Sequence, residues 1–444
     1  MAVPGALTAK QTRSIKFAAE RLFTVASWRD GLPRAPRITA DLSRHIEIER
    51  GRHMWLSDVG LEHLRKIVGA LHESDYFLAK AAYSDIWTAC SKTIAELLRK
   101  KLMPETAEEF LQLVQKVVNT EIDTWTYVAP VFGVQLKDLT TVDLGSFKLI
   151  HPSKTLLSDH GVTDEHGYFD TLYEQLQGDC WLIGSVNATP RVCKQVFDHR
   201  ARLLAGLLAL SAGATYERGA QAFRIGVITS PDEGRQSVSS HAAWASNRSL
   251  SFGRSWRRGQ EYVITPDIVE QWKGSSVFTS LVSILERTDH TALEAAVVRA
   301  VFWYSDAHKD AADVMRFVKY WSCFEAFFSL GDNIVRSTTV GSAVILAFGP
   351  LGFMDRSAYV STRQRLTRLY GKRSKAVHGA AHDHVLYTDL SDLSQWAAWL
   401  ILSVATLTHR YRTPSELLRH CMAIDARHER SSAHSDSAKG NQPQ

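Results

Sequence analysis

The sequence predicts a multidomain α+β protein: an N-terminal mixed α/β region with a small sheet, then an all-α helical bundle. Three observations carry this. Apolar residues recur at three- and four-residue steps through much of residues 1–124. Short β-branched or aromatic runs cut by Pro and Gly fill residues 125–289. From Ala292 onward no run reads as a strand.

In the helical N-terminal region, 58–72 sets Val59, Leu61, Leu64, Ile67, Val68 and Leu71 on one face, with Ser57 or Asp58 as the N-cap. Residues 84–101 and 105–120 repeat that pattern around a break at Pro104. The α+β domain, 125–289, is expected to act as a sensor or regulator. Its predicted strands are TYVAPVFGVQL (126–136), LGSFKLIHP (144–152), CWLIGSV (180–186), FRIGVIT (223–229) and EYVIT (261–265). Thr189-Pro190 and Thr265-Pro266 each place a cap before a proline at the first helical position. The third domain, 290–425, holds predicted helices at 292–306, 310–330, 335–347, 357–372 and 387–411. Residues 426–444 are polar and read as a disordered tail.

Composition narrows the functional classes. The chain of 444 residues is 45% apolar and 22% charged, which excludes collagen-like and mostly disordered architectures. Its net charge of +5 fits an anionic partner without requiring one. The five cysteines, Cys90, Cys180, Cys193, Cys323 and Cys421, form no CxxC pair, so reduced thiols in a cytoplasmic compartment are expected. The longest apolar stretches, 203–215 and 396–409, are too short to span a membrane and read as core helices. No signal peptide is expected.

The most informative segment is YGKRSKAVHG, 370–379, with Arg373 and His378 five positions apart. The bare spacing occurs also at Arg65/His72, Arg235/His241 and Arg427/His434 when up to two more residues are allowed, so context must separate this pair. Here Tyr370 precedes the arginine, Ser374 follows it and Val-His-Gly closes the segment. Upstream, WSCFEAFFSL (321–330) sets Glu325 within an aromatic run. Together these residues resemble the HEPN ribonucleases, and among them the ApeA-like branch with its Tyr-x-x-Arg-Ser-x-x-Val-His-Gly signature. The resemblance covers about 290–411. It implies a HEPN-like helical bundle and metal-independent endoribonuclease activity, leaving 2′,3′-cyclic phosphate and 5′-hydroxyl ends. Arg373 and His378 are then catalytic, Ser374 a polar helper, and Glu325 an orienting residue. It further implies a homodimer, an RNA substrate (tRNA included), no cofactor, and a role as a regulated bacterial antiviral-defence or toxin effector. A phage-derived or nucleotide trigger would act at the N-terminal region.

The residue types suit the chemistry without the family. Attack of a 2′-hydroxyl on the adjacent phosphate needs a group that exchanges protons near neutral pH, which is histidine's range. It also needs a fixed positive charge at the phosphorane oxygens, which a guanidinium supplies. Five residues of ideal helix turn about 500°, leaving the two side chains about 140° apart. Either the helix breaks between them or the site is completed across a two-fold interface. The plainer alternative has Arg373 capping a helix end and His378 preceding a glycine terminator.

Arg365, Arg368, Lys372 and Lys375 step at threes and fours and read as an RNA-binding stripe, or as a solvated face. Arg248, Arg254, Arg257 and Arg258 interleave with Phe252 and Trp256, a composition that suits single strands but reads first as an exposed loop. His378, His382 and His384 with Asp383, and Asp159, His160, Asp164 and His166, are weak metal candidates: Gly379 interrupts the first set, and turn chemistry explains the second. The other functional reading is a non-catalytic HEPN module that binds nucleotide or RNA in a defence or toxin–antitoxin system.

Overall fold

The computed structural model describes every residue except 1–6, 30–43, 51, 75, 103, 105, 163, 165, 166, 168, 171, 172, 174–179, 216–222, 230–237, 245–249, 257–260, 380–383 and 440–444. The chain divides into two compact units: 1–127 with 185–197, and 128–184 with 198–444.

Unit one is not purely helical. Helix α1 (Ala9–Leu22) opens with a capping box at Thr8 and Gln11. A three-stranded antiparallel sheet follows, in the order β1 (Trp28–Arg29), β3 (Arg52–Leu56), β2 (His45–Glu49). Then come α2 (Asp58–His72), α3 (Tyr83–Lys100) and α4 (Ala107–Asn119). Ser57 caps α2 by accepting from the Gly60 N–H. The predicted face of α2 is buried through Leu61, Leu64, Ile67, Val68 and Leu71, whereas Val59 is exposed. These residues join Ile15, Leu22, Ile86, Ile94, Phe110 and Val114 in one core.

The middle strands form a five-stranded sheet ordered β6 (Thr141–Leu144), β7 (Phe147–Ile150), β8 (Cys180–Ala188), β4 (Asp123–Phe132), β9 (Gly226–Val227). Val134–Leu136 (β5) pairs in parallel with Tyr262–Ile264 (β12). Val238–Trp244 (β10) and Leu250–Trp256 (β11) form an antiparallel hairpin, so Arg254, Phe252 and Trp256 stand on a strand rather than in a loop. Arg248, Arg257 and Arg258 lie outside the described residues. Both Thr-Pro signals start helices: α5 (Pro190–Thr215) and α6 (Pro266–Gly274), followed by α7 (Ser276–Glu286).

The rest of unit two is helical, with no strand among its described residues: α8 (Ala292–Lys309), α9 (Asp313–Phe328), α10 (Ile334–Phe348), α11 (Tyr359–His378), α12 (Tyr387–Leu407) and α13 (Pro414–Lys439). Helix α8 starts at a capping box in which Thr291 N–H donates to Glu294 at 2.9 Å. Its neighbour α9 buries Trp321, Phe324, Phe327 and Phe328 completely. His308 on α8 is also fully buried, against the rings of Tyr304 (5.0 Å) and Tyr320 (5.9 Å). All five cysteines are buried, and none is in a disulfide among the described residues. Among the described residues no helix is long and apolar enough to cross a membrane.

Helical backbone continues through most of the segment that composition assigns to a disordered tail, because part of it is anchored. Asp425, 1% exposed, accepts from Tyr359 (2.7 Å) and Arg363 (2.9 Å), and Arg336 lies 3.5 Å from its other oxygen. Glu429 pairs with Arg363 at 3.2 Å, and His428 packs on Tyr359. Asp425→Ala strands these donors without their buried acceptor. It is expected to lower stability by about 3 kcal/mol, read as a lower denaturant midpoint at unchanged slope.

Candidate functional site

The motif lies wholly on α11, an unbroken helix of 20 residues. Its inner face is Tyr359, Thr362, Leu366 and Leu369, a three-four-three spacing that packs the helix into the bundle. The helix ends at Gly379, whose N–H bonds Lys375 O at 2.9 Å. A Cβ on Gly379 would stand 2.9 Å from that same carbonyl oxygen, so the close approach of the backbone requires glycine here.

Arg373 is held from α9. Its Nη2 donates to Glu325 Oε2 at 3.0 Å, with the two side chains 20% and 19% exposed. The other Glu325 oxygen accepts from Trp321 Nε1 at 3.1 Å, and Tyr370 packs edge-on against Trp321 at 5.8 Å. A relay of contacts thus runs Tyr370, Trp321, Glu325, Arg373. It fixes the guanidinium's direction while leaving its Nε buried without a hydrogen-bond partner among the described residues. Sequence analysis singled out Glu325 within the aromatic run but assigned no functional role to Trp321. The legible signal was the i, i+4 spacing of Trp321 and Glu325 on a helix.

His378 is the last residue of α11 and is exposed, with no hydrogen bond or ion pair among the described residues. Since the helix does not break, the pair stays about 140° apart and Arg373 and His378 of one chain do not converge. Ser374, half-buried, is one turn before His378 and shares its side of the helix rather than that of Arg373.

The basic stripe is not uniform. Arg365 bonds Asp392 (2.8 and 3.0 Å) and Asp389 (2.9 Å), and Lys372 bonds the second Asp389 oxygen. Asp389 is fully buried and also accepts from its own helix start, Leu386 N–H, at 2.8 Å. Burial alone would raise this carboxyl's pKa. The Lys372 and Leu386 hydrogen bonds and the nearby Lys372 and Arg365 charges outweigh it and hold the group below the usual carboxylate range. Arg368 and Lys375 are exposed and make no ion pair among the described residues.

The metal readings gain no geometry. Among the described residues no group of three metal-ligating side chains occurs. His384 Nε2 donates to Lys372 O at 2.8 Å, since a carbonyl only accepts, and its Nδ1 is buried without a partner among the described residues. His160 Nδ1 is engaged with Leu156 O at 2.8 Å. His382, Asp383 and His166 lie outside the described residues. Unit one holds a cleft of about 660 Å³ between α3, α4 and the start of α5. Within its lining, Thr189 donates to Asp85 at 2.6 Å, and Lys92 faces Glu121 at 3.4 Å.

Comparison of the chain with family models, with curated proteins and with solved structures yields no match.

Proposed function

We propose that the helical part of unit two is a HEPN-like, metal-independent endoribonuclease that works as a homodimer, with Arg373 of one protomer and His378 of the other at each site. The observation that supports this most is the pairing of an oriented guanidinium, held by Glu325, with an unengaged imidazole on one straight helix. A single chain separates the two groups, and a two-fold axis beside α11 would bring them together. In the reaction His378 takes the proton of a ribose 2′-hydroxyl. The oxygen attacks its own 3′-phosphorus, and the P–O5′ bond breaks. The leaving 5′-oxygen gains a proton, leaving a 2′,3′-cyclic phosphate and a 5′-hydroxyl. Arg373 faces the negative charge on the phosphorane oxygens, and Ser374 lies beside His378 as a polar helper. An unregulated cutter of this kind harms its host, which fits a defence or toxin effector whose first 289 residues answer to a trigger.

The test is cleavage of total RNA and of tRNA in excess EDTA, with end-group mapping, using protein from cells with and without phage challenge. Cyclic-phosphate ends at undiminished rate in EDTA are expected. RNA binding without cleavage under both conditions would replace this reading with that of a non-catalytic RNA-binding module.

A further inference from the structure

Seven basic residues lie between Arg356 and Lys375 with no acid among them. Their surroundings divide them. Arg356 stands over the Phe348 ring at 5.9 Å, and Arg363 is tied to Asp425 and Glu429. Arg365 and Lys372 share Asp389, and Arg373 is held by Glu325. Arg368 and Lys375 remain, exposed and without an ion pair among the described residues.

Helix geometry places these two on one row. Seven residues bring Lys375 to within about 20° of Arg368, some ~10 Å further along the axis. Measured from Arg368, His378 lies about 80° round on the Lys375 side. Lys372 and Arg365 lie about 40–60° round the other way, with Arg373 beyond them at about 140°. The unengaged row therefore runs toward His378. The engaged row lies on the side of Arg373 and is bonded to α12.

We propose that Arg368 and Lys375 are the residues that contact RNA phosphates and lead a single strand to His378, while Arg365 and Lys372 are positioning residues that touch no RNA. The assignment rests on the nuclease reading for the identity of the anion. Its physical basis is what each cation has to lose. Moving Lys372 or Arg365 onto a phosphate strips a buried carboxylate of its compensation. Arg368 and Lys375 break no ion pair when they neutralise a phosphate and release its counterions. Lys372 is also held twice, through its ammonium by Asp389 and through its carbonyl by His384. It thereby ties His384 and the start of α12 to the turn that carries Arg373.

The experiment measures the affinity of the full-length protein for a fluorescent single-stranded RNA against salt concentration, in a His378→Ala background so that nothing is cut. Arg368→Gln and Lys375→Gln are each expected to weaken binding several-fold and to lower the salt slope by about 0.7, the value for one phosphate on a single strand. Lys372→Met is expected to leave the slope unchanged and to speed hydrogen exchange in residues 384–392. With His378 restored, Lys372→Met is expected to lower kcat at unchanged KM. A slope loss in Lys372→Met equal to that of the other two variants overturns the proposal. So do unchanged slopes in Arg368→Gln and Lys375→Gln, or unchanged exchange in Lys372→Met. Failure of the parent protein to bind RNA at any salt is a different result: it removes the nuclease reading and the phosphate row together.

Discussion

His378→Ala is expected to reduce EDTA-insensitive RNA cleavage by about 10²–10⁴-fold, and Arg373→Ala by about 10²–10³-fold. The two substitutions differ in what else they disturb. His378 is exposed at a helix end with no partner among the described residues, so its loss should leave the melting temperature unchanged. Arg373→Ala leaves Glu325 partly buried with its hydrogen bond from Trp321, so a modest loss of stability should accompany the loss of activity. Arg373→Lys keeps the charge but not the planar fork and should recover only part of the rate. Mixing gives the sharper result. If each site draws Arg373 from one protomer and His378 from the other, a heterodimer of the two alanine variants holds one intact site. An equal mixture then returns about one quarter of wild-type activity. No recovery after subunit exchange would place both residues at one site within a chain, or remove them from catalysis.

The second large effect is acid destabilisation through His308. Burial, then the charges of Arg316 and Arg224, push its pKa down to about 3, against a smaller opposing pull from the Phe223 backbone. An unfolded histidine titrates near ~6.5. As pH falls below that value the unfolded chain takes up a proton that the native chain refuses, so native stability declines until the folded pKa is reached. Between pH 6.5 and 5 the loss from this residue is about 2 kcal/mol. His63, His199 and His420 are also lowered and add to the same limb, so the informative quantity is a difference between proteins. His308→Phe should flatten the stability profile over that interval relative to wild type, whatever its stability at pH 7. Parallel profiles would show that His308 charges in the native state.

Most helices and half of the strands were legible because local rules dictate them: the cap at Ser57, two Thr-Pro starts and clear apolar faces. Misreadings arose where tertiary contacts outweigh local signals. The helix carrying the motif was expected to end near Gly371-Lys372, yet it runs to His378. An interior glycine costs a helix only about 1 kcal/mol, and the Lys372–Asp389 and Arg373–Glu325 pairs hold the last two turns. The small sheet of unit one was also missed, although HIEIE alternates in the strand pattern. Arg373, His378 and Glu325 were singled out from residue type and order, and the Arg373–Glu325 contact joins two of them. The division of the basic stripe was not, since Asp389 and Asp392 follow on another helix and no local spacing links them to Arg365. Asp425, further on still, lay in a stretch where no helix was expected.

Asp425 also gives the site a timetable. The ribosome delivers a protein N-terminus first, at about 5–20 residues per second. The Arg363 and Tyr359 partners of Asp425 therefore leave the tunnel seconds before it does, and Asp389 emerges in between. Until then α11 has neither its α12 clamp nor its α13 anchor, and only the helices that precede it, with Glu325 on α9, hold the guanidinium. A nascent chain would carry the complete motif without a finished site; on the nuclease proposal, cutting would be deferred to the last stage of synthesis.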